Sequence, residues 1–133
     1  MLKTICYTSS HSESIPAYEI ENLFYHVKSF NNKNDIRGVL YSGFDRFFQI
    51  IEGPTDTMDA LYVSIKKDVR HTNINEILNI KIKNYCFKEF GTGYNTINSF
   101  ESLFGLQNYL SSPAFNSSTN ADIFLKTLET FSK

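Results

Sequence analysis

The 133-residue chain has no tryptophan, only two cysteines, three prolines and six glycines, and no long block of like charge. Lys+Arg 13 against Asp+Glu 14 leaves a net charge of −1 with no basic stretch, so neither a nucleic-acid nor a membrane-surface partner is expected. Cys6 and Cys86 lie far apart in apolar stretches and lack the close spacing of metal ligands. The N-terminus has no apolar segment long enough to direct export, and a reducing cytoplasm is the expected location. What the chain does have is aromatic and aliphatic mass. Phe 12, Tyr 8 and a hydrophobic share of 41% suit one domain with a sizeable core.

Apolar periodicity divides that mass into elements. Residues 2–9 mix apolar and β-favouring types and read as a first strand, broken by the polar run Ser9-Ser10-His11-Ser12-Glu13-Ser14. From Pro16 onward, Ile20, Leu23, Phe24, Val27 and Phe30 recur at helical steps and stop in Asn31-Asn32-Lys33-Asn34-Asp35. Residues 36–41 and 46–51 form a hairpin, with Gly43 available for a turn of positive φ. Met58, Leu61, Tyr62, Ile65 and Val69 trace a second helix that ends in Asp68-Val69-Arg70-His71. Residues 74–82 read as a fourth strand, and residues 87–97 hold a short fifth. The order predicts a ferredoxin-like α+β sandwich, a mixed five-stranded sheet with two helices on one face.

After Asn98 the composition changes. Phe100, Leu103, Phe104, Leu106, Tyr109 and Leu110 fit a helix, residues 112–120 a polar linker, and Ile123, Phe124, Leu125, Leu128 and Phe131 a terminal helix. The expected division is a domain over residues 1–97 and a C-terminal helical extension over 98–133. Roughly thirty-five residues fall below the ~50 of a small domain, so no fused effector is expected within this stretch.

Three polar residues stand out against this apolar background. Tyr7 sits in the first strand, Asn31 at the end of the first helix, and Gln49 inside Phe47-Phe48-Gln49-Ile50-Ile51-Glu52-Gly53. A carboxamide buried in so greasy a strand must find hydrogen-bond partners or cost about 1–3 kcal/mol, so a bound ring is expected to hold it.

Four segments carry a resemblance. They are Leu2-Lys3-Thr4-Ile5-Cys6-Tyr7-Thr8-Ser9-Ser10; Phe30-Asn31-Asn32-Lys33-Asn34-Asp35-Ile36-Arg37-Gly38-Val39-Leu40-Tyr41; the Gln49 strand; and Asp68-Val69-Arg70-His71. In this order they resemble the BLUF family of blue-light sensors using FAD, across roughly residues 1 to 97. The resemblance implies non-covalent FAD and a photoactive pair, Tyr7 and Gln49. It implies that Asn31 bonds the flavin ring edge, that Asp68, Arg70 and His71 lie beside it, and that Leu23 and Ile65 sandwich it. In the implied photocycle Tyr7 gives an electron and a proton toward the excited flavin and takes both back, and Gln49 turns over or tautomerises. The new donor aimed at the ring shifts absorption to the red. Short members of the family commonly form dimers or rings, so a homo-oligomer and a separate downstream signalling protein are the implied partners, with no enzymatic activity.

The chain departs from the family where a tryptophan and a methionine are usual: Phe90 and Thr92 stand there, and Arg37 replaces a small hydroxyl residue. Phenylalanine is far harder to oxidise than tryptophan, which leaves tyrosines such as Tyr94 as the competing donors. These departures motivate an alternative, a light-insensitive interaction module that has lost its flavin. An acylphosphatase-like hydrolase would need an arginine-bearing phosphate loop, which Tyr7-Thr8-Ser9-Ser10-His11 lacks. A nucleophilic pair of Cys6 and His71 has no support in the spacing.

Overall fold

A computed structural model describes residues 1–12, 16–43, 45–87, 90–91, 107, 110–111 and 120–130. Its elements are β1 (Leu2–His11), α1 (Ala17–Lys33), β2 (Arg37–Gly43), β3 (Arg46–Pro54), α2 (Thr55–Lys67), β4 (His71–Ile82), β5 (Phe90–Gly91) and α3 (Ala121–Glu129). The sheet order is β4-β1-β3-β2-β5. Neighbours among the first four strands in that order are antiparallel. Each helix thus crosses over one strand, α1 over β3 and α2 over β1, and returns parallel to the strand it left. The result is the split β-α-β pattern that the sequence predicts.

The fifth strand falls short of expectation. Four long strands make up most of the sheet, and the described part of the fifth is Phe90 and Gly91, paired parallel to Gly38 and Val39 at the β2 edge. Residues 92–97 of the predicted fifth strand lie outside the described residues, as do Thr92 and Tyr94. Of the two predicted C-terminal helices, α3 is described in full, and Gln107, Leu110 and Ser111 are helical.

β1 and β3 are central strands, so their side chains are buried on both faces and their sequences read as nearly continuous apolar runs. Alternation still sorts them. Ile5, Tyr7, Leu40, Phe47 and Ile51 meet one layer built by Phe24 and Leu23 of α1 and by Met58, Leu61 and Ile65 of α2. Cys6, Val39, Tyr41, Phe48 and Ile50 point the other way, against Phe87, Leu110, Phe124 and Leu128. The C-terminal residues therefore roof the second face of the sheet.

Local backbone chemistry fixes the element ends. Helix α1 stops because Asp35 adopts a left-handed conformation (φ 57°), which turns the chain into β2. The Ile36 N–H then donates to the Asn31 carbonyl at 2.9 Å and pins Asn31 in the last turn. In the β2–β3 hairpin, where Gly43 was the expected positive-φ residue, Asp45 supplies a left-handed backbone (φ 61°). Gly38 is needed for a different reason: at φ 132° a Cβ there would lie 2.0 Å from the Ile50 carbonyl oxygen. Val69, placed by periodicity on the second helix, is instead 85% exposed in the turn after α2. The helix ends at Lys67 and Asp68 is already extended, so the i+4 spacing from Ile65 no longer selects a buried face.

Candidate functional site

A cavity of about 290 Å³ opens between α1, α2 and the sheet. The expected site residues Tyr7, Leu23, Asn31, Gln49, Ile65, Asp68, Arg70 and His71 all line it. Strand register brings the central pair together: Tyr7 on β1 lies opposite Gln49 on β3, on the helix-covered face. The Tyr7 hydroxyl donates to Gln49 Oε1 at 2.5 Å, and both residues are 3% exposed. Burial, reinforced by Tyr62, Asp68 and Cys6, pushes the Tyr7 phenol far above its usual range. Tyr7 therefore keeps its proton and is committed as donor to an amide oxygen.

That pairing has a mirror arrangement. A phenol both donates and accepts, and a carboxamide carries an acceptor on one side and donors on the other. Turning the Gln49 amide over would present Nε2 to the Tyr7 oxygen, reversing the bond without moving either strand. The freed Oε1 would then face elsewhere.

Asn31 is 1% exposed, and its Nδ2 has no hydrogen-bond partner among the described residues. A buried amide donor left unpaired costs about 1–3 kcal/mol, and this one belongs to a residue on the cavity wall. The carbonyl edge of a heteroaromatic ring would satisfy it. Leu23 on α1 and Ile65 on α2 supply partly buried apolar walls on facing helices, suited to the two sides of a flat ring.

His71 reaches the site through irregularities in β4. Its pairing with β1 shifts register between Cys6 and Tyr7 and again between Thr8 and Ser10, and Asn73 in the second shift is left-handed (φ 55°). The imidazole ends 6.0 Å from the Tyr7 ring and 6.1 Å from that of Phe47. Its Nε2 lies 2.6 Å from the Ile65 carbonyl, which can only accept, so Nε2 carries the proton. Nδ1 then accepts from the Ser9 hydroxyl at 2.8 Å.

Asp68 and Arg70 form a two-pronged pair. Arg70 Nη2 meets Asp68 Oδ2 at 2.6 Å, Nε meets Oδ1 at 2.9 Å, and the Arg70 backbone N–H adds a third bond to Oδ1 at 2.9 Å. The guanidinium holds the Asp68 carboxyl below its usual range, although partial burial opposes it. The pair fixes a planar cation at the cavity wall.

Several wall residues were not singled out by sequence. Val27 and Phe30 share the α1 stripe with Leu23, Leu61 stands one turn before Ile65, and Phe47 alternates with Gln49, so periodicity could have found them. His26 and Ser64 also line the cavity, and no pattern marks them. Ser9, the hydroxyl that sets the His71 tautomer, is visible only once the β4 irregularities are known. The Cys6–His71 nucleophile idea fails on geometry and charge: Cys6 packs on the opposite sheet face, and burial pushes its thiol far above the usual range.

The profile of the family described as "BLUF: Sensors of blue-light using FAD" matches residues 2–93. The chain belongs to this family of blue-light sensors. The "Blue light- and temperature-regulated antirepressor BluF" of Escherichia coli (strain K12) is 35% identical over 78 residues, covering 59% of this chain and 19% of that protein. The chain thus spans about a fifth of that curated relative's length. Among solved structures, a bacterial light-regulated adenylyl cyclase is 33% identical with a TM-score of 0.65, over 69% of this chain and 28% of that one. BlsA in its photo-activated state is 26% identical with a TM-score of 0.67, over 96% of this chain and 94% of that one. Among the described residues, no helix is long and apolar enough to cross a membrane.

Proposed function

We propose that this chain is a blue-light photoreceptor that binds FAD non-covalently between α1 and α2 and signals by rearranging the Tyr7–Gln49 hydrogen bond. The observation that carries this reading is that bond itself, 2.5 Å long at the wall of a cavity that also holds the unpaired Asn31 amide. At about 290 Å³ the cavity lies at the lower end of the range for ligand sites. That size favours entry of the ring system, with the remainder of the dinucleotide outside.

The residues present fit such a group. Asn31 Nδ2 offers a donor to a ring carbonyl, the Asp68–Arg70 pair presents a guanidinium edge beside it, and Leu23 and Ile65 cover the two flat sides. A bound flavin would supply absorption of blue light and an excited state that accepts an electron. Tyr7 is placed to yield that electron, and its Oη proton has a ready acceptor in Gln49 Oε1. With the proton transferred, the carboxamide is free to turn or tautomerise, and return of both the electron and the proton to Tyr7 would leave Gln49 with a hydrogen-bond pattern different from the starting one. His71, held between Ser9 and Ile65, packs against the Tyr7 ring and limits its movement.

The reading is non-enzymatic, and its output passes to a separate protein or through self-association. Two features support that route. The chain aligns along nearly its whole length with BlsA, whose structures are described as ground and photo-activated states. Its C-terminal helix α3 also closes the face of the sheet opposite the cavity. The test is release of the pigment by heat from purified protein and its separation by chromatography. FAD in the supernatant is expected. Protein that remains colourless after incubation with excess flavin overturns the reading.

A further inference from the structure

Glu52 lies three residues beyond Gln49 on β3, on the sheet face that turns away from the cavity, and it is 1% exposed. A carboxylate so enclosed needs strong partners. Its Oε1 accepts two consecutive backbone N–H groups, those of Cys86 at 2.8 Å and Phe87 at 2.9 Å. Arg37, opposite Glu52 in register on β2, grips the same segment: its guanidinium lies 3.8 Å over the Tyr85 ring and donates to the Phe87 carbonyl at 3.4 Å. The Tyr85 hydroxyl in turn donates to the Asp35 carbonyl at 2.6 Å. Phe87, the last residue held, is 5% exposed and sits in the cluster with Leu110, Phe124 and Leu128.

We propose that Glu52 is a positioning residue for output: its carboxylate ties the strand bearing Gln49 to residues 85–87 and, through Phe87, to the C-terminal roof, so that rearrangement at Gln49 reaches α3. The light-dependent half of this inference rests on the photoreceptor reading above. The chain of contacts is short and continuous. Gln49 and Glu52 belong to one strand, Glu52 holds the Phe87 amide, and Phe87 belongs to the core cluster that contains Phe124 and Leu128 of α3.

A purely structural purpose would not favour a carboxylate here. Burial raises the Glu52 carboxyl above its usual value, even though the two amides and Arg37 pull it down. A folded-state value raised above the unfolded one means that the group's contribution to stability is present at low pH and is lost as pH rises through the folded value. Burial therefore works against the charged form of Glu52, a cost that a glutamine of the same shape does not carry. The titratable groups around it are Arg37 on β2 and Tyr85 and Cys86 in the segment it holds. What the charge adds is a stronger grip on two amides.

The experiment is backbone amide hydrogen exchange, read by NMR in the dark and under blue light, on the flavin-loaded full chain and its Glu52→Gln and Glu52→Ala variants. In the dark, the Cys86 and Phe87 amides should exchange about fivefold faster in Glu52→Gln and about tenfold faster in Glu52→Ala. The thermal midpoint of Glu52→Gln should match or exceed that of the wild type, a split that a merely structural role would not produce. Under light, all three proteins should show the same red shift. Exchange in α3 should respond in the wild type, respond weakly in Glu52→Gln and not respond in Glu52→Ala. Unchanged exchange at the two amides, a full α3 response in Glu52→Ala, or a silent α3 in a wild type that does red-shift would each overturn the proposal. A wild type that binds flavin but shows no red shift would instead sink the photoreceptor reading, and the dark exchange rates would still decide whether Glu52 holds the segment.

Discussion

The two faces of one sheet are built by alternate residues of the same strands, yet they differ in kind. On the helix side, Tyr7, Gln49, Asn31 and His71 place polar groups around a cavity. On the other, Cys6, Val39, Phe48 and Ile50 meet Leu110, Phe124 and Leu128 in apolar packing, with Glu52 at its margin. Stepping one residue along β1 from Cys6 to Tyr7, or along β3 from Gln49 to Ile50, passes from one regime to the other. The packed face supplies stability, while the cavity face holds the Asn31 amide and the Tyr7–Gln49 hydrogen bond. In the proposed reading, the division lets chemistry occur at Gln49 without loosening the strand that carries it.

Substitutions on the two faces should therefore separate cleanly, and the largest expected effects come from the Tyr7–Gln49 pair. Gln49→Leu should abolish the light-induced red shift with flavin still bound, since leucine keeps much of the volume and exchanges no hydrogen bonds. Tyr7→Phe should do the same by removing the transferable proton. A wild-type light-minus-dark spectrum from either protein would break the comparison at its centre.

The next effect belongs to the packed face. Phe124 is 1% exposed in the roof cluster, so Phe124→Ala should cost about 3–5 kcal/mol in urea unfolding. The flavin spectrum of the molecules that remain folded should keep its wild-type shape. A spectral change comparable to that of Gln49→Leu would show that the faces are not separable.

A smaller and more diagnostic change is Asn31→Ala. In the flavin-free protein it removes an unsatisfied buried donor, so the unfolding midpoint should hold or rise. Flavin affinity should fall about fivefold to tenfold, the worth of one hydrogen bond, in a fluorescence titration. Equal affinity in both proteins would mean that the unpaired amide does not face the ligand.

The smallest effect is on pH. Because Arg70 depresses the Asp68 carboxyl in the folded state, the pair's contribution is complete above the usual aspartate value of 3.8 and is lost as pH falls through the lower folded value. Flavin retention in acid should carry this titration, and Asp68→Asn should remove it. Identical acid profiles for the two proteins would contradict the assignment.

Much of this arrangement is legible in the amino-acid order, and the parts that are not share a cause. The apolar stripes through Leu23 and Ile65 follow from helical spacing, and Gln49 announces itself as an amide in a strand of Phe and Ile. Both are local patterns. The closeness of Asp68, Arg70 and His71 to the cavity is suggested only by the family resemblance, because it depends on where the turn after α2 returns to the sheet. Ser9 escapes notice because its link to His71 depends on two irregularities in β4. Glu52 looks like the polar close of a strand, and its burial depends on amides 34 and 35 residues away. Val69 misleads because a spacing argument assumes that the helix continues, and this one ends at Lys67. The sequence places β5 within residues 87–97, but its parallel pairing with Gly38 and Val39 has no local sign, since that is decided at the sheet edge.

The most direct measurement of the central claim is the visible absorption spectrum of the purified protein before blue light, immediately after it, and during recovery in the dark. The account predicts flavin bands that move to longer wavelength on illumination and return fully in darkness, with no net bleaching. Bands that stay fixed under light in a flavin-loaded protein would contradict it.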